Sequence, residues 1–167
     1  MSLEGRLAMI NNIGICCFSF IAGMVLGILL LGLHLQKICR DLHDKYEKQT
    51  EFYSLLLRWI HVHQEGRTLM NYFYNNNVRT IAIYGMKELG EALSEELRNG
   101  DIEIKYGIDK NADNIYAGID VYTPDEKLED VDMVVVTAIH YYNEIENDMQ
   151  NKLKGKIVSL EDVVWEA

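Results

Sequence analysis

Hydrophobic residues follow three successive patterns along the chain. From Ile13 to Leu33 they are almost continuous, "IGICCFSFIAGMVLGILLLGL", without one charged residue. From His34 to Asn77 they recur at helical spacing. Ile38, Leu42, Tyr46, Tyr53, Leu56, Leu57 and Ile60 fall close to one stripe. From Val78 onward, short apolar runs alternate with amphipathic segments.

The first pattern predicts a membrane-spanning helix over about 13–33. At the α-helical rise it is about 30 Å long, the thickness of a bilayer's hydrocarbon core. It is apolar on every face, unlike a helix at the surface of a soluble core. It exceeds the apolar stretch of a cleaved signal peptide, and no small-residue cleavage site follows it. Lys37, Arg40, Lys45 and Lys48 lie just after the span and Arg6 stands alone before it, so the positive-inside rule puts the C-terminal part in the cytoplasm. The expected location is the cell membrane, crossed once. Ser19, Gly23 and Gly27 recur every fourth residue, a small-xxx-small pattern that lets two membrane helices approach closely and suggests a homodimer.

The second pattern predicts a helical connector over 34–77. Its main helix ends near Gly66, and a shorter one follows in "TLMNYFYNNN". Two uses of the apolar stripe stay open: packing on the domain that follows, or a short parallel coil with another chain. The heptads are too broken to define a coiled coil.

The third pattern predicts strands and helices in alternation over 78–167. The strands are "VRTIAIYG", "IEIKYGID", a short "GIDVY", the continuously apolar "VDMVVVTA", and "KIVSL". The first helix presents Leu89, Ala92, Leu93 and Leu97 on one side and ends at Asn99-Gly100. Thr123-Pro124-Asp125-Glu126 has the form of a capping box with proline at the first helical position, which predicts a helix there. Another helix runs from about Tyr142 to Leu153, and Ser159 begins a last short one. Parallel strands joined in this way form a right-handed, doubly wound sheet. The fold class is α/β, a small Rossmann-like parallel sheet of order 3-2-1-4-5. About 90 residues make only half of a full dinucleotide-binding fold.

In such a sheet a ligand binds beyond the carboxyl ends of the strands, where the order reverses between strands one and four. Three loops meet that rule: Gly85–Gly90, Asp109-Lys110-Asn111, and Thr137–Tyr141. The first departs from the dinucleotide fingerprint G-x-G-x-x-G, because Lys87 stands at the second glycine in Gly85-Met86-Lys87-Glu88-Leu89-Gly90. Gly85 permits the tight turn and Gly90 the close packing of helix on strand. A side chain at Lys87 hinders a pyrophosphate, and a lysine at a helix start opposes the helix dipole. A bound phosphate would relieve that conflict, as would Glu88 and Glu91 without a ligand. The loop therefore either holds a phosphate or keeps only the shape. Asp109, 24 residues after Gly85, stands where an acidic residue takes a ribose hydroxyl, or where it caps a turn. Asn111, Thr137 and His140 complete the candidate set with Met86. An acidic residue after such a loop makes NAD(P) a candidate ligand.

Composition narrows the field. Residues 78–167 hold 20 of the 26 acidic residues and 9 of the 16 basic ones, which excludes a nucleic-acid partner. Cys16, Cys17 and Cys39 all precede Val78, so there is no disulfide framework; Cys39 reads as a free thiol or an acylation site at the membrane surface. His61 and His63 are two apart on a helix and point different ways, so no metal site is expected. No paired carboxylates, nucleophile elbow or phosphate-binding G-x-x-x-x-G-K-[ST] loop occurs, and no catalytic residue is assigned.

The segments "IAIYGMKELGEAL", "YGIDKN", "GIDVYTPDE" and "VDMVVVTAIHYYNEI" resemble a family of Rossmann-like modules in bacterial surface-polysaccharide biosynthesis. Such modules form the N-terminal domain of sugar acetyltransferases and of membrane-bound nucleotide-sugar dehydratases and epimerases. The resemblance covers a little over half the chain. It implies nucleotide-sugar binding at Gly85–Gly90, Asp109 and Asn111, which leaves the ligand open between NAD(P) and a UDP-sugar. The chain departs from the family at Lys87, and no catalytic domain follows. The resemblance thus implies a noncatalytic accessory module, with a partner enzyme of polysaccharide synthesis. The competing expectations are a ligand-free module that docks a partner enzyme at the membrane, and a subunit of an NAD(P)-dependent enzyme.

Overall fold

The computed structural model describes residues 3–167, with side chains at Phe20 and from Gly23 onward. The chain divides into two compact units, Met1–Thr50 and Glu51–Ala167. A single helix, α1 (Leu3–Gln64), makes up the first and contributes its last turns to the second.

In the first unit, α1 is long and apolar enough to cross a membrane, by length and composition. Met24, Val25, Leu26, Ile28, Leu29, Leu30, Leu31 and Leu33 are all exposed within the chain. A Cβ added at Gly23 or Gly27 would meet nothing within 4 Å. Ser19, the third residue of that small-residue pattern, lies outside the described side chains, as do Arg6, Cys16 and Cys17. Ile38, Leu42 and Tyr46 are exposed, and so is Cys39.

The second unit is built on five parallel strands in the order β3-β2-β1-β4-β5. These are β1 (Thr80–Tyr84), β2 (Glu103–Ile108), β3 (Val121–Tyr122), β4 (Met133–Val136) and β5 (Lys156–Ser159). β1 and β4 lie at the centre, and their continuous apolar sequences are buried on both faces. Alternation along them feeds two cores. Ile81, Ile83, Met133 and Val135 face one way, toward the end of α1, α2 (Met70–Asn75), α3 (Glu88–Leu97) and α5 (Leu160–Glu166). Ala82, Tyr84, Val134 and Val136 face the other way, toward α4 (Tyr142–Met149).

Four details differ from the sequence expectations. The end of α1 packs through Leu55, Trp59 and Val62, whereas Tyr53, Leu57 and Ile60 of the expected stripe stay exposed. Both sets have helical spacing, and only the sheet decides which is covered. On α3, Gly90 is buried beside Leu89, Leu93 and Leu97, while Ala92 points to solvent. The helix expected after Thr123 is absent. Its capping contacts nonetheless form, with Glu126 Oε1 accepting from Thr123 N at 2.7 Å and from Thr123 Oγ1 at 2.9 Å. Only six residues separate Glu126 from β4, so after this one turn the chain must cross the sheet extended, with Leu128 packed on the α4 core. The fourth helix is shorter than expected and stops at Met149.

Gly66 ends α1 as its sequence implied, with φ +74°. At the last helix, Ser159 Oγ accepts from Glu161 N at 3.3 Å.

Candidate functional site

The carboxyl ends of β1, β2 and β4 open on a cleft of about 600 Å³. It lies at the point where the strand order reverses. All three loops picked out by that rule contribute to its wall. The rest comes from the start of α3, one face of α4, and Phe52 on α1.

The floor is set by Gly85. Its φ of +98° is open only to glycine without strain, and a Cβ there would lie 2.7 Å from Thr137 Oγ1. Thr137 is buried and its hydroxyl donates to the carbonyl oxygens of Tyr84 and Gly85. It fastens the β1 turn to the β4 loop. Gly90 does not reach the cleft. A Cβ there would lie 2.1 Å from the Gly85 carbonyl oxygen, so its role is the close approach of α3 to the turn.

Asp109 is the second fastener. Its Oδ2 accepts from Met86 N at 3.0 Å and its Oδ1 from Asn111 N at 2.9 Å. The carboxylate is 8% exposed and still borders the cleft. Met86 is a correction to the candidate set. Its side chain is buried over Gly107, where a Cβ would come 2.7 Å from Met86 Cγ, and its amide already serves Asp109. Gly107 thus makes room for Met86 in the core.

Lys87 stands at the N-cap of α3 rather than in its first turn, with extended backbone and no side-chain cap. Glu88 and Glu91 follow in the first turn. Lys87 and Lys110 both line the cleft, and neither makes an ion pair among the described residues. Asn111 lines it beside Lys110. His140 reaches it from the turn before α4, with Nδ1 3.0 Å from Glu51 Oε2.

The charged lining is mixed: Lys87 and Lys110 stand beside Glu88 and Asp109 after β1 and β2, and Glu144 and Asp148 lie one turn apart on α4, after β4. Asp148 is held by Lys152, Nζ to Oδ2 3.1 Å. Sequence reasoning missed Phe52, Tyr84, Glu144 and Asp148. The α4 pair was readable, since Glu144 and Asp148 are four apart and flank the buried Ile145 and Met149. Tyr84 was readable as the residue opposite in facing to Ile83. Phe52 had no local signal, because its position follows from how α1 packs.

Elsewhere, His63 Nε2 lies 3.2 Å from Glu96 Oε2, and His61 is exposed. Among the described residues no group of three or more His, Cys, Asp or Glu is placed to hold a metal.

No family model, no curated protein and no solved structure matches this chain.

Proposed function

We propose that this protein is a membrane-anchored, noncatalytic module that binds a nucleotide or nucleotide sugar in the cleft above β1 and β4. The observation that carries the reading is the cleft itself, open at the reversal of strand order and of ordinary ligand-pocket size. Lys87 and Lys110 supply unpaired positive charge where phosphate would lie, beside the N-terminus of α3. Asp109 and Thr137 hold the turn that shapes the floor. Phe52 offers an aromatic face for a base or sugar. The long apolar helix serves as the anchor, with the α/β unit in the cytoplasm. A role beside an enzyme of cell-envelope polysaccharide synthesis comes from the sequence resemblance alone.

A second reading has its own support. Both oxygens of Asp109 already serve backbone amides, and the Met86 amide is taken. A turn with its polar groups committed in this way suits a module that docks a partner enzyme and binds no small ligand.

A melting screen of the full chain in detergent micelles separates the two. Under the first reading, UDP or NAD at about 100 times its dissociation constant stabilises by about 2.7 kcal/mol, and Lys87→Ala removes most of the shift. A flat response to every nucleotide favours the docking module.

A further inference from the structure

Once Leu55, Trp59 and Val62 are taken up in the α/β core, the apolar residues left on α1 follow a regular repeat. Leu35, Ile38, Leu42 and Tyr46 in the first unit, and Tyr53, Leu57 and Ile60 in the second, are all exposed. Tyr53, Leu57 and Ile60 each stand two positions from one of the core residues, about 200° round the helix and so on nearly the opposite side. Written in heptads, Cys39, Tyr46, Tyr53 and Ile60 take position a, and Leu35, Leu42, Gln49 and Leu56 take position d. Ile38 and Leu57 flank that seam at g and e. The core-facing residues are what interrupt the repeat in the bare sequence.

The charges agree with the repeat. Lys37, Arg40, Asp41, Asp44, Glu47, Lys48 and Glu51 all fall at the outer positions b, c and f, and only Lys45 falls at g. In a parallel, in-register pair, g faces e of the following heptad. Lys45 then meets Thr50 and Ile38 meets His43, so no like charges are opposed. Gln49, the polar residue at d, meets its own copy and favours a single register at some cost in stability. Lipid does not reach the whole stripe. α1 is one unbroken helix from Leu3 to Gln64, and Tyr46 lies about 20 Å along it beyond Leu33, where the apolar span ends. The seven exposed side chains, at about 100 Å² each, amount to roughly 700 Å² per chain, near the ~800 Å² that each partner gives to an interface of ordinary size.

We infer that α1 pairs with α1 of a second copy as a parallel, in-register coiled coil through the a and d positions of residues 35–60. The parallel orientation rests on the membrane anchor proposed above, which sets both chains the same way round; the self-pairing of the stripe does not.

The test is oxidative cross-linking of the full chain in membranes, in a Cys16→Ser, Cys17→Ser background. Cys39, at a, is expected to join its own copy and give a product of twice the chain mass. With Cys39→Ser added, single Leu42→Cys and Tyr46→Cys variants should cross-link in the same way, whereas Asp44→Cys at f and Glu47→Cys at b should not. Tyr46→Glu should slow the Cys39 cross-link about tenfold or more, because it places two unpaired charges in the seam, and should leave the melting temperature unchanged, because the side chain is exposed within one chain. Equal cross-linking at a, d and f positions, as random collision gives, or none at any position, overturns the pairing. A product of any mass other than twice the chain assigns the stripe to a different protein and overturns it as well. A chain recovered in the soluble fraction that still cross-links in this pattern overturns the anchor and leaves the pairing standing.

Discussion

Gly85 and Asp109 each do one job that no common substitute does. Gly85 combines a left-handed backbone with a neighbour, Thr137 Oγ1, where a methyl group would sit. Gly85→Ala is expected to destabilise by about 1–3 kcal/mol, measured by denaturant unfolding, and to weaken any ligand of the cleft. An unchanged midpoint would contradict the geometry. Glu96 is a different case, a nearly buried carboxylate that joins three helices. It accepts from Trp59 Nε1 and from Leu69 N at 2.8 Å, and it lies beside His63. Glu96→Ala strands two donors and should cost about 2 kcal/mol, with a change in tryptophan fluorescence. Glu96→Gln, which keeps an acceptor, should cost less.

At the scale of elements, loops are tied to strands by side chains that titrate. Asp132 Oδ2 accepts from Arg79 N at 2.9 Å and Thr80 N at 2.8 Å, which pins the start of β1 to the start of β4. The backbone amide of Arg79, then that of Thr80, hold its carboxyl below the usual value. Its contribution is present above the unfolded carboxylate range and is lost as pH falls through the lower folded value. Acid melting of Asp132→Asn should therefore be less steep than that of wild type. Tyr106 and Tyr142 behave oppositely. Burial pushes both up to about 12 from the ordinary 10.0. Tyr106 also donates to the Glu129 carbonyl, and Tyr142 to Glu146 Oε1. Stability should be full below the ordinary tyrosine value and fall as pH climbs toward the raised one. The share of tyrosinate absorbance that Tyr106→Phe and Tyr142→Phe remove should rise with unfolding rather than before it.

The strand order, the buried central strands and the three loops were legible in the sequence because each follows from local periodicity and a topological rule. The absence of a helix between β3 and β4 was not, because Thr123 to Glu126 carries a true capping signal. Chain length overrides it: β4 begins too soon. The face of α1 that packs was equally hidden. Two apolar stripes compete on one helix, and only the tertiary partner, beneath Leu55, Trp59 and Val62, chooses between them. Within the site, backbone-shaping residues were read as ligand contacts. Glycines and carboxylates at strand ends serve both ends, and sequence alone does not separate Met86 and Gly90, which build the turn, from Lys87 and Asn111, which line the cleft.

At the scale of the whole molecule, a long apolar helix leads into an acidic α/β unit. Membranes washed with alkaline carbonate should retain the chain, and its release into the wash would contradict an integral span. In sealed vesicles of native orientation the α/β unit should resist added protease, as its expected cytoplasmic side requires. The most direct measurement is isothermal titration of the full chain with UDP and NAD, using wild type and Lys87→Glu. The expected result is saturable binding of one ligand per chain to at least one of the two, abolished by Lys87→Glu without loss of folding. No heat with either at millimolar concentration, or binding that Lys87→Glu leaves unchanged, would contradict a nucleotide site in this cleft.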